Sequence, residues 1–443
     1  MKEILLKQNF HWHTQDFETG IQREILDRIV QALDVRHVIA ISGARRSGKS
    51  YLFRQLIRYL LNHATPPENI LQINFEDPFF ISAQDDANLL ENIYSEYLSL
   101  KNPEGHIYLF FDEIQNVKHW QRWIRTLYDQ NERVKIFITG SNSELLSTEL
   151  ASHLTGRVIS FEIFPFSYIE FFRGLPDVPF KELDFANDTQ NFYETLYPFK
   201  EKLIYHIEST FEKGLFPEVV YLDNQELVRD ILLQYFQNVI FKDIIPRFSI
   251  RNTKAIEQLG YYLSTNFTSA VSYRKLAEAI NTNENTIKEY LGYFEKTYLF
   301  SSIDYFEYSL KKQFRRNKKI YMIDNGIRRA TSFSFSTDTG KYAENMVFLN
   351  LRRSTNHIYY WYEDKTYREV DFVLKTGPKP IAINITYTDE INVRELESLN
   401  VFSKFVDCSR YILVTKNILE TRVFENITIE IIPFWIFIFL KFE

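Results

Sequence analysis

Short apolar runs alternate with longer amphipathic stretches through the first third of the chain. The runs have the length of strands, and each ends in glycine or in polar residues; they span 38–41, 70–77 and 107–111, with another beginning at Val134. The stretches between them, chiefly 91–100 and 120–129, have the length of helices. Strands that alternate with helices predict a parallel sheet covered on both faces, with its ligand site at the carboxyl ends of the strands.

The first apolar run leads into GARRSGKS, residues 43–50, and then into an amphipathic helix. This is the pattern GxxxxGK[ST] in the strand, loop and helix context that a phosphate-binding loop requires. We expect Lys49 to reach the β- and γ-phosphates of a nucleotide and the Ser50 hydroxyl to hold Mg²⁺. The residues predicted to contact the nucleotide are Gly43, Ala44, Arg45, Arg46, Ser47, Gly48, Lys49, Ser50 and Tyr51.

Two acids follow the apolar run 107–111. Asp112 ends the predicted strand and is expected to hold Mg²⁺, while Glu113 is expected to act as the base that polarises an attacking water. An Asp-Glu pair is common after buried strands, so it indicates a nucleotide site only in combination with the phosphate loop upstream.

Two further residues are candidates for the catalytic edge. Asn142 follows the strand that begins at Val134, and it either senses the γ-phosphate or caps the next helix; the two roles are compatible. Arg157 precedes a predicted fifth strand, and it either contacts phosphate, in its own chain or a neighbouring one, or pairs with Glu162.

The middle of the chain is predicted to be helical. Residues 164–224 indicate a lid or linker, and VSYRKLAEAINTNENTIKEYLGYF indicates a helix-turn-helix followed by a two-stranded wing. The wing carries a basic tract with Phe314 inside, and its candidate nucleic-acid contacts are Lys311, Lys312, Arg315, Arg316, Lys318 and Lys319. Glu289 and Glu295 on the second helix oppose DNA, so packing against protein remains an equal alternative.

Composition sets limits on these interpretations. The 443 residues predict several domains, and a net charge of −6 means that any nucleic-acid surface is a local patch. The single cysteine, Cys408, excludes an internal disulfide framework, and the N-terminal sequence lacks the apolar core of a signal peptide, so we expect a cytoplasmic protein. The longest apolar run, residues 431–442, is too short to span a bilayer, and it is predicted to be a buried final strand.

Taken in order, SGARRSGKS, FFDEIQNV, ITGSNSELLS, LTGR and FPFSYIEF resemble the signature of a prokaryotic AAA-type P-loop ATPase family with an uncharacterised C-terminal domain. GLFPEVV, KKIYMIDNGIRRA, KYAENMVFLNL and EVDFVL continue the resemblance. It implies ATP as the nucleotide and an α/β P-loop core with an extra strand between the phosphate loop and the Asp-Glu strand. It also implies a winged helix and a C-terminal domain similar to PD-(D/E)xK nucleases. The predicted domains are 1–163 (ATPase core), 164–224 (helical lid), 225–330 (winged helix) and 331–443 (nuclease-like).

The nuclease likeness can be tested on the residues that such a site needs. Glu344 matches the acid of the leading helix and Asp371 matches the acid of the second strand, with Glu369 beside it. The third strand has Asn384 and Thr386 where Glu and Lys are expected, which removes one negative charge and the ammonium. We therefore predict a nuclease-like scaffold without a working metal site.

These features predict a Mg²⁺-dependent ATPase that acts as a switch and repositions the winged-helix and nuclease-like parts. The alternative is a nucleotide-gated module that binds double-stranded DNA or protein with little turnover, and an ATP-driven nuclease is the weakest interpretation. No membrane partner is predicted, and the oligomeric state stays open.

Overall fold

The computed structural model describes residues 1–14, 16–143, 154, 156–176, 178, 180, 188–332 and 338–442. Its chain divides into two compact units. The first unit comprises Met1–Pro165 together with Lys296–Tyr298, and the second comprises Phe166–Glu295 together with Leu299–Glu443. The finer division into four domains stays a prediction.

The first unit is built on a five-stranded parallel sheet with the order β2-β3-β4-β1-β5. Its strands are β1 (Val38–Gly43), β2 (Ile70–Asn74), β3 (Ile107–Asp112), β4 (Val134–Gly140) and β5 (Val158–Ile163). In the sheet, β4 lies between β1, which leads into the phosphate loop, and β3, which ends in Asp112, and this confirms the expected extra strand; β2, which falls between the two motifs in sequence, is an outermost strand. Because all five strands are parallel, the residues after β1, β3 and β4 meet at one edge of the sheet, the one formed by the carboxyl ends of the strands.

Helices cover both faces of this sheet because side chains alternate along each strand. The helices are α1 (Lys2–Gln8), α2 (Ile25–Gln31), α3 (Lys49–Asn62), α4 (Leu89–Lys101) and α5 (Trp120–Gln130). Ile39 and Ile41 of β1 pack in a core with the apolar face of α3, while Val38 and Ala40 belong to a second core that includes Trp120 of α5. The predicted α/β class is confirmed.

The second unit begins with helices. They are α6 (Tyr168–Arg173), α7 (Thr189–Leu196), α8 (Lys200–Lys213), α9 (Gln225–Asn238), α10 (Ile245–Arg247), α11 (Thr253–Thr265), α12 (Tyr273–Ala279) and α13 (Glu284–Lys296). Ser167 and Glu170 form a capping box that starts α6, and the Asn224 and Ser272 side chains cap α9 and α12.

A nine-stranded mixed sheet follows, in the order β13-β14-β12-β11-β10-β9-β7-β8-β6. Its strands are β6 (Ser269–Val271), β7 (Phe300–Tyr305), β8 (Lys318–Met322), β9 (Ile358–Glu363), β10 (Arg368–Leu374), β11 (Ile381–Ile385), β12 (Arg410–Thr415), β13 (Glu420–Phe424) and β14 (Ile427–Pro433). The helices in this part are α14 (Leu310–Gln313), α15 (Asn325–Thr331), α16 (Thr339–Ser354), α17 (Val393–Ser403) and α18 (Phe434–Phe437).

Two local predictions need correction. The apolar run 431–442 is buried as expected, but β14 ends at Pro433 and the next residues form α18, because proline has no N–H to continue a ladder and favours the first turn of a helix. The basic tract 311–319 is divided between α14 and β8, so that Lys318 and Lys319 are strand residues.

Among the described residues, no helix is both long enough and apolar enough to cross a membrane.

Candidate functional site

The phosphate loop connects β1 to α3 and depends on glycine at two places. A Cβ on Gly43 would lie 2.1 Å from the carbonyl oxygen of Ile163, so only glycine allows β5 to approach here. Gly48 has φ +99°, a left-handed conformation that glycine adopts without strain. Arg46, also at positive φ (67°), completes a tight turn that a loop around a phosphate requires.

Lys49 begins α3 with its side chain almost fully buried. Its ammonium donates hydrogen bonds to the carbonyl oxygens of Gly43 and Ala44, both at 3.1 Å, and lies 3.3 Å from Glu113 Oε1. The ammonium is therefore held over the loop by three oxygen atoms. A phosphate oxygen would have to compete with these for the same cation.

Ser50 and Asp112 meet across 62 residues of sequence: the serine hydroxyl donates to Asp112 Oδ2 at 2.5 Å. Thr139, near the end of the neighbouring β4, donates to Asp112 Oδ1. Burial, and then the charge of Glu113, raises the pKa of Asp112 above its ordinary range. Thr139 was missed from the sequence, and its only signal is a hydroxyl in the otherwise apolar run IFIT.

Glu113 follows β3 with φ 52°, an uncommon conformation for a residue with a side chain. Its amide donates to Thr139 Oγ1 at 2.9 Å, and its carboxylate accepts from Ser141 N at 3.1 Å and from Gln115 Nε2. Burial would raise the pKa of Glu113, but Lys49 and the Gln115 hydrogen bond outweigh it and hold the pKa below its usual value. The carboxylate is thus ionised and oriented.

The structure also places Asn142 at this edge, one residue after the Ser141 amide that contacts Glu113. Asn142 is buried, and it follows β4, which lies between β1 and β3 in the sheet. The helix that it was predicted to cap lies outside the described residues.

Arg157 lies at the amino ends of the strands, at the opposite end of the sheet from the phosphate loop. Its carbonyl accepts from Val38 N at 2.8 Å, at the start of β1 and β5, which puts it roughly 20 Å along the strand from Ile163 beside the phosphate loop. Its guanidinium pairs with Asp129 at 3.2 Å and lies over the ring of Tyr128. This position corrects the expectation of a phosphate contact within the same chain.

The remaining loop residues are held by neighbours. Arg45 pairs with Glu76 at 2.9 Å, while Tyr51 is 41% exposed with the guanidinium of Arg54 over its ring.

Sequence reasoning missed Arg23, which is buried and donates to the carbonyl of Ser47 at 2.6 Å and to that of Phe164 at 2.7 Å. Arg23 lies 24 residues before Ser47, outside any motif, so no sequence signal marks it.

The donor atoms at this edge fit Mg²⁺. The Ser50 hydroxyl and the Asp112 carboxylate are oxygen donors within hydrogen-bond distance of each other, and Mg²⁺ takes one or two protein oxygens together with phosphate and water. Within the described ranges, no three His, Cys, Asp or Glu side chains are grouped so as to hold a metal ion.

A second polar cluster lies in the second unit, around the buried ammonium of Lys319. Its Nζ lies 2.8 Å from Glu344 Oε1, 2.7 Å from Glu369 Oε1 and 3.2 Å from Asp371 Oδ1. Burial alone would lower the pKa of Lys319, but the neighbouring acids, Glu344 first, raise it well above the ordinary value. Burial also raises the pKa of Glu344 to about 8. Lys319 was predicted to contact nucleic acid, and its burial among carboxylates corrects that expectation.

Asn384 lies beside this cluster and links it to α17. Its Oδ1 accepts from Asp371 N at 3.2 Å, and its Nδ2 donates to Glu395 Oε2 at 3.0 Å. Glu395, missed from the sequence, therefore supplies a carboxylate next to the position where Asn384 lacks one, and burial raises its pKa to about 7. Thr386, just beyond β11, donates its amide to the carbonyl of Val414. Lys319 contributes an ammonium to this cluster from β8, which the linear pattern 369–386 could not show.

The rest of the basic tract is exposed or partly exposed. Arg316 pairs with Asp364 at 2.8 Å, Lys318 with Asp304 at 3.3 Å and Lys312 with Glu307 at 3.8 Å. Lys311 and Arg315 have no ion-pair partner within the part of the chain that the structure describes.

Three family models match successive parts of the chain. An AAA domain matches residues 35–172, which contain the phosphate loop and the Asp-Glu pair. A domain of unknown function (DUF8612) matches residues 205–338, and another (DUF4143) matches residues 339–437.

Two relatives of similar length match nearly the whole chain. The uncharacterized protein MJ1544 of Methanocaldococcus jannaschii is 32% identical over 95% of this chain and 92% of its own length. An uncharacterized protein of Haemophilus influenzae is 29% identical over 94% of this chain and 98% of its own.

The solved structures to which the chain is similar include the Aeropyrum pernix Orc1 protein in complex with DNA (12% identity, TM-score 0.30, 74% of this chain and 96% of that one). Another is AMPPCP-bound DnaA from Aquifex aeolicus (17% identity, TM-score 0.26, 61% of this chain and 86% of that one). The AAA-domain match, the parallel sheet and the relationship to MJ1544 agree with one another. The chain belongs to the AAA-type P-loop ATPase family, and its AAA domain is followed by two domains of unknown function.

Proposed function

We propose that the chain is a Mg²⁺-dependent ATPase that works as a nucleotide-driven switch. The observation that carries this proposal is the convergence of Lys49, Ser50, Asp112 and Glu113 at one edge of the sheet, linked by contacts of 2.5–3.3 Å. These residue types supply a phosphate cation, two oxygen donors for Mg²⁺ and an ionised base.

The contacts around Lys49 suggest how binding and hydrolysis are connected. A triphosphate competes with Glu113 and two loop carbonyls for the Lys49 ammonium. Once Lys49 contacts phosphate, the Glu113 carboxylate is released to accept a proton from the attacking water, while Ser141 N and Gln115 keep it oriented. Mg²⁺, held by Ser50 and Asp112, would neutralise phosphate charge. The base therefore becomes available only when nucleotide is present.

Substitution of Lys49 tests the site assignment. Lys49→Ala should abolish measurable ATP binding and turnover in the full chain, whereas Lys118→Ala, an exposed lysine paired with Asp85, should change neither. If Lys49→Ala bound and hydrolysed ATP like the unaltered chain, the proposed site would be wrong.

A second candidate function is a nucleotide-gated module that binds double-stranded DNA or a protein, with little turnover. Helix α11, strand β6, helices α12 and α13, and strands β7 and β8 follow in the order of a winged helix, and β8 pairs antiparallel with both β6 and β7. Binding to duplex DNA that weakens with salt, and that falls when Lys311, Lys312, Arg315 and Arg316 are neutralised, would support it.

We propose that the C-terminal domain is a nuclease-like scaffold without nuclease activity. The sequence suggested that such a site would lack an ammonium, but the ammonium of Lys319 is present. Lys319 lies among the carboxylates of Glu344, Glu369 and Asp371 and neutralises charge that a metal would otherwise balance. Plasmid nicking that requires Mn²⁺ and disappears in Asp371→Ala would contradict this proposal.

A further inference from the structure

The segment between β7 and β8 exposes large apolar side chains. We call residues 308–316 the tip. Tyr308 is 70% exposed, Leu310 64% and Phe314 74%. Side chains of this size lose hydrophobic stabilisation when they remain in water, so their concentration in one short segment indicates a contact surface.

The backbone of the tip has a defined shape. The carbonyl of Ser309 accepts hydrogen bonds from the amides of Lys312 and Gln313, both at 3.0 Å, and the Phe314 amide donates to the Leu310 carbonyl at 2.9 Å. Gln313, within this turn, is buried. The exposed side chains are therefore presented by an ordered helical turn.

Two positively charged side chains close to Phe314 in the sequence have no ion-pair partner among the described residues. Lys311 and Arg315 are exposed and have no ion-pair partner in the described ranges, unlike Arg316, which pairs with Asp364 and lies over the ring of Tyr305. Lys311 lies within the helical turn three positions before Phe314, and Arg315 follows Phe314 directly after the helix ends, so both cations are close to the ring along the chain. An aromatic ring flanked by two free cations matches the chemistry of a base and its neighbouring phosphates.

In a winged helix, α13 would be the recognition helix, but it carries no comparable excess of positive charge. Its exposed charged residues Glu284, Lys288 and Glu289 sum to −1, and Tyr293 is stacked on Phe248 at 3.9 Å between ring centroids. The tip is therefore better suited than α13 to contact a phosphate backbone.

We propose that the tip binds single-stranded nucleic acid, with a base stacked on Phe314 and phosphates bound by Lys311 and Arg315. A single strand is favoured over a duplex because paired bases hide the faces that an aromatic ring needs, whereas unpaired bases offer them. This inference rests on the nucleic-acid branch of the second candidate function but takes a single strand in place of duplex DNA. Of the six basic residues predicted from the sequence it retains Lys311 and Arg315, and it adds the ring of Phe314.

Binding of the full chain to fluorescent dT20 and to a 20-base-pair duplex, measured by anisotropy between 50 and 200 mM salt, tests the proposal. We expect dT20 to bind more tightly than the duplex. Phe314→Ala should weaken dT20 binding by about 5- to 100-fold, whereas Phe314→Tyr should retain it. Lys311→Gln with Arg315→Gln should reduce the slope of log affinity against log salt by about 1.4, the value for two single-strand phosphates.

Val423→Ala is the matched control, because Val423 is equally exposed (74%) on β13, away from the tip in sequence, and it should bind dT20 like the unaltered chain. Equal affinity of Phe314→Ala and Phe314→Tyr, tighter binding of duplex than of dT20, or no dT20 binding at 50 mM salt would each overturn the proposal. ATP turnover of the unaltered chain, measured without nucleic acid, reports on the ATPase proposal separately, since its loss would refute that proposal and leave the binding result intact.

Discussion

The ammonium of Lys319 lies 2.8 Å from the carboxylate of Glu344, and the lysine side chain is only 3% exposed. Two more carboxylates, of Glu369 and Asp371, share the same ammonium. Charges removed from water in this way are stable only while they compensate one another. The cluster therefore ties β8, α16 and β10 together through a single ammonium. Because one cation cannot offset three carboxylates, burial raises the pKa of Glu344 to about 8 and also raises that of Asp371, which favours their protonated forms.

Replacing Lys319 should be costly. Lys319→Met leaves three acids without their cation, and we expect the free energy of unfolding of the second unit to fall by about 3–5 kcal/mol, measured by urea denaturation. Lys379→Met removes a lysine that is 57% exposed and pairs with Asp407 at 2.6 Å, and it should cost less than about 1 kcal/mol. Equal losses in the two variants would show that the buried ammonium has no special role.

Gly43 should tolerate no side chain. Gly43→Ala places a Cβ 2.1 Å from the backbone oxygen of Ile163, so β5 must shift, and we expect a loss of at least about 1–3 kcal/mol in unfolding free energy together with weaker ATP binding. Gly292, inside α13, has open space around its Cβ position and an ordinary φ. Gly292→Ala should therefore be neutral or stabilising by up to about 1 kcal/mol. Thermal unfolding and ATP titration of both variants compare the two, and an unchanged Gly43→Ala would contradict the close packing of β5.

Buried His11 should make the first unit sensitive to acid. Its Nε2 contacts the carbonyl of Ile70 at 3.0 Å, and burial lowers its pKa from 6.5 to about 4. The unfolded chain therefore binds an extra proton between these values, so this contribution to stability is complete above pH 6.5 and is lost as the pH falls toward 4. The loss approaches about 3 kcal/mol.

The melting temperature of the unaltered chain should accordingly fall below pH 6.5, and His11→Gln should show a shallower fall. His63→Gln, which changes a surface histidine bonded to the Tyr59 carbonyl, should keep the original pH profile. Parallel profiles for the unaltered chain and His11→Gln would mean that other groups cause the acid sensitivity.

Contacts within one motif, or between residues that the strand order brings together, could be predicted from the sequence. Contacts between elements that are far apart in the chain could not. Lys49 and Ser50 lie in one contiguous motif, and Asp112 ends an apolar run, so parallel-sheet geometry sufficed to bring them together. Lys319 reaches Asp371 from β8, and Glu395 contacts Asn384 from α17; both contacts arise from packing between separate elements that no local pattern encodes. Arg157 precedes β5, so parallel-sheet geometry alone places it at the amino ends of the strands, away from the phosphate loop, whereas its ion pair with Asp129 could not be predicted from the sequence.

The most direct test of the ATPase proposal is the turnover of Glu113→Gln. Glutamine keeps the size of the side chain but cannot accept the proton of the attacking water, so the full chain should hydrolyse ATP at least a hundredfold more slowly while it still binds Mg²⁺-ATP. Single-turnover hydrolysis and equilibrium ATP binding, measured on the same preparation, separate the two effects. Unchanged hydrolysis in Glu113→Gln would contradict the assignment of Glu113 as the base and, with it, the proposed link between Lys49 and Glu113.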